Sequence, residues 1–293
     1  MKIEYLLLIT ASGFFHAFYN FLMRRENGSR LFLTGIFGVG ALLSLVATFL
    51  SGVPVSIPWN AVPYVFAASL FYTFYQVFIS NGFERGDIAI VYPLAMLSPL
   101  FIPILALVFL KEIIPFSVWV GIFITLGGAI LIQLRSLSFS EIKKMIFLGK
   151  DYGIARLALA ASFMYAIGSV FDKSRISVFN IFIYMNFILL FMAGMLLVYV
   201  FVFERKQSMN VYIAKHYKPI LIGGAVLFLS FLSFRMALQF VYVSIAVPVR
   251  LSSIVFAVLF GVLVLREKVN RKQVTGIIML IIGILIIHWF RMS

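Results

Sequence analysis

The chain has 293 residues, of which 63% are hydrophobic and only 12% are charged. A soluble domain averages about 25% charged residues, so this composition excludes an ordinary soluble protein. The net charge of +14 is interpreted as loop cations that follow the positive-inside rule, and not as a nucleic-acid surface. Cysteine is absent, which excludes disulfide bonds and thiol chemistry.

Ten apolar segments follow one another along the chain. At about 20 residues, each is long enough to cross a hydrocarbon core of about 30 Å as a helix. The predicted spans are 3–23, 31–50, 61–83, 88–110, 116–134, 152–171, 178–202, 219–240, 245–265 and 273–290. The first is interpreted as a retained helix, because no small-residue cleavage site follows it. The predicted fold is an all-α integral membrane protein with ten transmembrane helices.

The last third of the chain repeats an earlier stretch at a constant offset of 155 residues. The agreements involve residue types that are scarce in apolar sequence. They are Pro93 with Pro248, Ser98 with Ser253, Lys111 with Arg266, Glu112 with Glu267, Gly121 with Gly276, and Gly128 with Gly283. Five spans lie on each side of a polar segment, and an odd number per copy places the two copies in opposite orientations.

We therefore divide the chain into a first five-helix repeat (1–134), a cytoplasmic linker (135–151) and a second five-helix repeat (152–293). Inverted repeats are typical of secondary transporters, which bind their substrate at the repeat interface. Seventeen Lys and Arg residues lie on the face that carries the linker, and five lie on the other face. This bias predicts that both termini are on the non-cytoplasmic face of the cell inner membrane.

Few residues are suited to enzymatic chemistry. The three histidines, His16, His216 and His288, lack the spacing of a metal site, and no glycine-rich phosphate loop is present. No pair of carboxylates falls within a span. The sequence therefore predicts no enzymatic activity, no cofactor and no metal.

Polar side chains inside the spans are energetically costly, so they are candidates for a substrate site. His16 and Asn20 share one face of the first helix, and Tyr72 and Gln76 share one face of the third, because residues four apart are neighbours on a helix. The predicted substrate-binding residues are His16, Asn20, Tyr72, Gln76, Tyr165, Arg235, Gln239 and Arg250. The alternative for His16 and Asn20 is a hydrogen bond between helices.

Arg235 and Arg250 break the repeat, since their repeat partners are Ser80 and Ala95. A guanidinium group matches a carboxylate or phosphate with two parallel hydrogen bonds. Both arginines are therefore predicted to hold an anionic group of the substrate. The alternative is that their side chains extend to the membrane interface. The repeated glycines are interpreted as positions of close helix packing.

Three runs resemble the drug/metabolite transporter superfamily, EamA type: HAFYN from His16, ERGDIAIVYPLA from Glu84, and VPVRLSSIVFAVLFGVLVLRE from Val247. The basic-Glu steps that begin at Lys111 and Arg266 are similar to that family's closing motif in both halves. The resemblance covers essentially the whole chain and implies facilitated or ion-coupled movement of small organic solutes. Small multidrug relatives place a carboxylate in the first helix. This chain has no acid there beyond Glu4, which disfavours export of cationic drugs.

These features predict a secondary transporter that moves a small metabolite across the inner membrane by alternating access. The substrate is expected to carry an anionic group, as an amino acid or organic acid does. The expected partners are that solute, an ion if transport is coupled, and membrane lipids, but no nucleic acid. The alternatives are a flippase for an amphiphilic or lipid-linked molecule and a non-transporting membrane subunit or sensor.

Overall fold

The computed structural model describes residues 1–26, 29–85, 94–133, 152–203, 209–266 and 268–290, and within them it contains helices and no strands. The helices are α1 Ile3–Arg25, α2 Arg30–Ser51, α3 Val62–Arg85, α4 Ser98–Leu110, α5 Phe116–Gln133, α6 Tyr152–Arg175, α7 Ile181–Phe203, α8 Met209–Leu238, α9 Val243–Arg250, α10 Ser253–Leu265 and α11 Arg271–Trp289. A 3-10 turn, Ile176–Val178, follows α6. The predicted all-α membrane fold is confirmed. The linker 135–151, Pro93 and Glu267 lie outside the described residues.

Eight of the described stretches are long and apolar enough to cross a membrane. They are Ile3–Arg25, Arg30–Ser51, Val62–Gly82, Phe116–Gln133, Ile181–Phe203, Met209–Leu238, Val243–Val264 and Arg271–Trp289. The two other predicted spans correspond to α4, an apolar helix of 13 residues, and to α6, a helix of 24 residues.

Two predicted spans have a further feature in the structure. Helix α8 begins at Met209, ahead of the span predicted from residue 219, but it has a kink at His216, whose φ of −116° and ψ of 20° are not helical. The predicted span 245–265 is interrupted between α9 and α10. At this break Leu251 and Ser252 donate to carbonyl groups three residues back, in the tighter 3-10 pattern.

The helix α8 runs antiparallel to α1. Near the middle of both helices the Ser12 hydroxyl donates to the Ser230 carbonyl at 2.8 Å, and at the end of α1 the Glu26 carboxylate contacts His216 at 2.8 Å. We call the face of the bundle where α1 begins and α8 ends the terminal face. We call the face where α1 ends and α8 begins the linker face.

The helices α3 and α6 pack in the same antiparallel way. The Arg175 guanidinium, at the end of α6, lies 4.5 Å from the ring of Tyr64, near the start of α3. Further along, the rings of Tyr75 and Tyr165 lie 5.1 Å apart. The first helix of each half therefore packs against the third helix of the other half, in the opposite direction. This is the arrangement of an inverted repeat.

The last helices of the two halves, α5 and α11, cross at the repeated glycines. A Cβ atom added to Gly121 would lie 3.0 Å from the Gly283 carbonyl oxygen, and one added to Gly276 would lie 2.8 Å from the Gly128 carbonyl oxygen. Gly121 is the repeat partner of Gly276, and Gly283 is the repeat partner of Gly128, so these two contacts are equivalent. The two helices therefore pack about a two-fold axis. The interpretation of these glycines as close-packing positions is confirmed.

The basic-Glu motif ends one helix and caps another: the basic residue ends the helix before it, and Glu112 caps the start of α9. Lys111 and Arg266 end α4 and α10 with left-handed φ values of 58° and 55°. The buried Glu112 carboxylate then accepts hydrogen bonds from the Val243 N–H at 3.0 Å, the Ser244 N–H at 3.1 Å and the Ser244 hydroxyl at 2.6 Å. The carboxylate therefore accepts hydrogen bonds from backbone N–H groups that have no partner within α9, and its negative charge is favourable at the positive end of the helix dipole. Glu112 thereby joins the first half to the start of α9.

Candidate functional site

A cavity lies between the two halves, beside the break between α9 and α10. The space between its lining atoms, together with the open solvent at its mouth, is about 740 Å³. It is lined by His16, Tyr19, Asn20, Tyr75, Gln76, Ile79, Ala95, Met96, Ser98, Tyr165, Val247, Arg250, Leu251 and Ser253. A smaller space of about 360 Å³ adjoins it and adds walls from Tyr72, Met192, Phe231, Phe234 and Arg235.

Arg250 is the last residue of α9, and its side chain lines both spaces. Its guanidinium donates to the Tyr165 hydroxyl at 3.3 Å and the Ser230 hydroxyl at 3.1 Å, and it lies 4.4 Å from the ring of Phe234. Its Nε is buried and has no hydrogen-bond partner among the described residues. No carboxylate of those residues forms an ion pair with Arg250, so its charge is balanced by none of its described neighbours.

His16 completes the surroundings of Arg250. The imidazole Nδ1 lies 3.4 Å from an Nη atom of Arg250. A guanidinium has no acceptor, so Nδ1 must accept this hydrogen bond and carries no proton. The imidazole is therefore neutral in this contact and adds no negative charge to the site.

Arg235 has a different environment, although it also lies against a phenylalanine of α8. Its guanidinium pairs with the Asp172 carboxylate at 2.8 Å and lies 4.6 Å from the ring of Phe231. The hydroxyls of Tyr184 and Tyr72 donate to the same carboxylate at 2.6 and 3.0 Å. Both partners of the ion pair are almost fully buried, Arg235 at 3% and Asp172 at 0% exposure. The charge of Arg235 is thus neutralised within the protein.

Further polar contacts join the ends of α6 and α8 at the terminal face. The Lys173 ammonium donates to the Leu238 carbonyl at 2.8 Å. The Gln239 side chain donates to the carbonyls of Ile176 and Phe179, both at 3.3 Å. Together with the Arg235 ion pair, these contacts close the bundle on the terminal side of the cavity.

Two helices begin at the wall of the cavity. Ser98 and Ser253 are the first residues of α4 and α10, and both line the main space. They are also repeat partners, so the inverted repeat brings two equivalent helix N-termini to one place. The N-terminus of a helix carries a partial positive charge, which favours a bound anion.

Most of the predicted site residues meet at these two spaces. His16, Asn20, Gln76, Tyr165 and Arg250 line the main cavity, and Tyr72 and Arg235 line the smaller space. Gln239 lines neither space. Both arginines are buried within the helix bundle and bonded to other residues of the protein. Contact of this set with a substrate stays a prediction.

Sequence reasoning missed Asp172 as the partner of Arg235. Its position among Lys173 and Arg175 near the end of a span is typical of a solvated helix end, and the pattern around it gives no sign of burial. Ser98 and Ser253 were visible as a repeated pair, and the repeated prolines Pro93 and Pro248, five residues before them, were the signal that could have placed them near a helix start.

Comparisons with known proteins agree with this architecture. The sequence model of the EamA-like transporter family matches residues 3–134 and 154–289. An uncharacterized transporter of Archaeoglobus fulgidus is 33% identical over 125 residues, which is 42% of this chain and 41% of the relative. The match thus spans less than half of that relative's length. A protein of known crystal structure is 14% identical and superposes with a TM-score of 0.78 over 99% of both chains, which shows a shared fold.

Proposed function

This chain belongs to the EamA-like transporter family, and we propose that it moves a small metabolite with an anionic group across the cell inner membrane by alternating access. Family membership confirms the resemblance in the sequence and the expected multi-pass transporter. It also points to transport rather than to an enzymatic reaction.

The observation that carries the proposal is that no carboxylate of the described residues pairs with the buried Arg250. A buried cation without a counter-ion is unfavourable, and an anionic ligand would relieve that cost. The Nε of Arg250 has no hydrogen-bond partner among the described residues, a property that the Nε of Arg235 shares, but the described partners of Arg250 are all neutral. A substrate carboxylate or phosphate would supply the missing negative charge through charge-assisted hydrogen bonds.

The helix N-termini at Ser98 and Ser253 support the same assignment. In several transporter folds, discontinuous helices direct their N-termini at anionic substrate groups near the middle of the membrane. Here α10 begins three residues after Arg250, and Ser253 and Arg250 both line the main cavity. The N–H groups of Ile254, Val255 and Phe256 already donate to the carbonyls of Leu251 and Ser252, so the helix would contribute through its dipole and not through those N–H groups.

Alternating access is supported by the unequal closure of the two sides. The Arg235–Asp172 pair and its neighbours close the terminal side, whereas the cavity lining continues from His16 toward the linker face through Asn20 and Ile79. In an inverted repeat the two halves can exchange conformations, which would open the opposite side. The cavity also favours transport over the alternative of a tightly packed, non-transporting subunit.

The test is substrate binding to Arg250 variants. A thermal-shift screen of organic acids, amino acids and phosphorylated metabolites identifies the best ligand, and its affinity is then measured for wild type, Arg250→Ala and Arg250→Lys in one detergent. We expect Arg250→Ala to weaken binding roughly 10- to 100-fold, because charge-assisted hydrogen bonds contribute about 1.5–3 kcal/mol. Arg250→Lys should recover only part, since an ammonium lacks the planar fork. Equal affinities for all three proteins would remove Arg250 from the site.

We also propose that both termini lie outside the cytoplasm, on the basis of the distribution of loop cations. A topology reporter fused after Ser293 should report a non-cytoplasmic position. A fusion within the linker 135–151 is the matched control and should report a cytoplasmic position. The reverse pattern would contradict the proposed orientation.

A further inference from the structure

We infer that the substrate carries a net negative charge and no ammonium group, so that it belongs to the organic anions with an apolar or aromatic body and not to the zwitterionic amino acids. This inference rests on the proposed function and specifies which of its substrates the cavity accepts.

The described lining of the two spaces contains two cations and no carboxylate. Among the described residues, Asp172 contacts Arg235, which lines the smaller space. One of its oxygens accepts from Tyr184, and the other accepts from Tyr72 and Arg235. These bonds occupy the carboxylate, and its charge already balances Arg235. The net charge left to the described lining is therefore that of Arg250.

An ammonium group on the substrate would lie in an unfavourable field. In an α-amino acid it is attached one carbon from the carboxylate, which places it roughly 6 Å from the guanidinium that holds the carboxylate. Two like charges at this separation weaken binding by about 10- to 100-fold at the effective dielectric constant of a partly buried site. The described lining offers an ammonium only neutral acceptors, such as the amide oxygens of Asn20 and Gln76.

The rest of the lining suits an apolar body. Tyr75 and Tyr165 present rings 5.1 Å apart, and Ile79, Met96 and Leu251 add aliphatic surface. Aromatic pairs at this separation can accept a further ring in an edge or offset arrangement. The amides of Asn20 and Gln76 can bind a hydroxyl or keto group without adding charge.

The test uses three ligands that share a phenyl ring and differ in charge. 3-Phenylpropanoate is an anion, phenylalanine is the corresponding zwitterion, and phenethylamine is the cation without the carboxylate. Binding of each to the purified full-length protein is measured by calorimetry at neutral pH in one detergent. We expect 3-phenylpropanoate to bind at least 10-fold more tightly than phenylalanine, and phenethylamine to bind most weakly. Acetate should bind less tightly than 3-phenylpropanoate, because it lacks the apolar body.

A charge variant tests the same inference in the opposite direction. Gln76→Glu introduces a carboxylate into the cavity wall with almost no change in size. The affinity ratio of 3-phenylpropanoate to phenylalanine should then fall at least 10-fold, because the new carboxylate repels the anion and attracts the ammonium. Gln76→Met is the matched neutral control and should leave the ratio within about threefold of the wild-type value.

The outcomes separate this inference from the proposed function. If phenylalanine binds as tightly as 3-phenylpropanoate and Arg250→Ala weakens both, the anion site stands and the inference is overturned. If none of the carboxylates binds to the wild type, the inference is also overturned, while the screen with phosphorylated metabolites still tests the anion site. If 3-phenylpropanoate binds equally well to wild type and Arg250→Ala, the proposed site itself is wrong.

Discussion

Arg235 and Arg250 lie against Phe231 and Phe234 of the same helix, α8. They differ in whether a described carboxylate neutralises their charge. Arg235 pairs with the buried carboxylate of Asp172, whereas Arg250 is bonded to neutral groups. Arg235 is therefore neutralised inside the bundle, and Arg250 is the arginine that we propose binds a ligand. Burial alone therefore does not show the role of an arginine, because that role depends on whether a carboxylate pairs with it.

The largest expected effect comes from removing the partner of Arg235. Asp172→Ala leaves the guanidinium buried and unpaired and removes the acceptor of Tyr72 and Tyr184. We expect the free energy of unfolding to fall by about 3–5 kcal/mol. Denaturant titration in a fixed detergent measures this change.

The control for Asp172 is a double variant that removes both charges. Asp172→Leu with Arg235→Met should recover most of the lost stability, because an apolar pair can replace a buried ion pair at little cost. A loss below about 1 kcal/mol for Asp172→Ala would show that the Arg235 charge reaches water, and the contrast between the two arginines would then disappear.

An intermediate effect is expected at Glu112, which holds the helix that carries Arg250. Glu112→Ala leaves two backbone N–H groups and one hydroxyl at the start of α9 without their acceptor. The free energy of unfolding should fall by about 1–3 kcal/mol. Glu112→Gln keeps one acceptor oxygen and should lose about half as much. If the two substitutions had the same effect, the capping hydrogen bonds would not be the cause.

The smallest stability effect is expected at Arg250 itself. Arg250→Met removes a buried cation without leaving an unpaired carboxylate among the described residues. The free energy of unfolding should therefore stay within about 1 kcal/mol of wild type or increase. Arg235→Met, measured in parallel, should lose about 3–5 kcal/mol because Asp172 then remains buried alone. An equal loss of unfolding free energy in the two variants would contradict the view that only Arg235 has a buried counter-ion.

Several residues that the sequence singled out have the predicted place in the structure, and one does not. The glycines at 121, 128, 276 and 283 and the basic-Glu steps predicted the repeat, and the described members of these pairs have equivalent roles in the two halves. His16, Tyr165 and Arg250 were also predicted together, and they meet at one cavity. The prediction for Gln239 differs, since its side chain bonds to the turn after α6 and lines neither space.

The sequence by itself determined the membrane class, the helices and the inverted repeat, because span length, hydropathy and residue spacing are local properties of the chain. The tertiary structure alone decided which arginine is neutralised. His16 and Arg250 are separated by 234 positions in the chain, and Asp172 reaches Arg235 only where the ends of α6 and α8 meet at the terminal face. Charge balance depends on distances of a few ångströms between distant segments, and no local pattern encodes those distances.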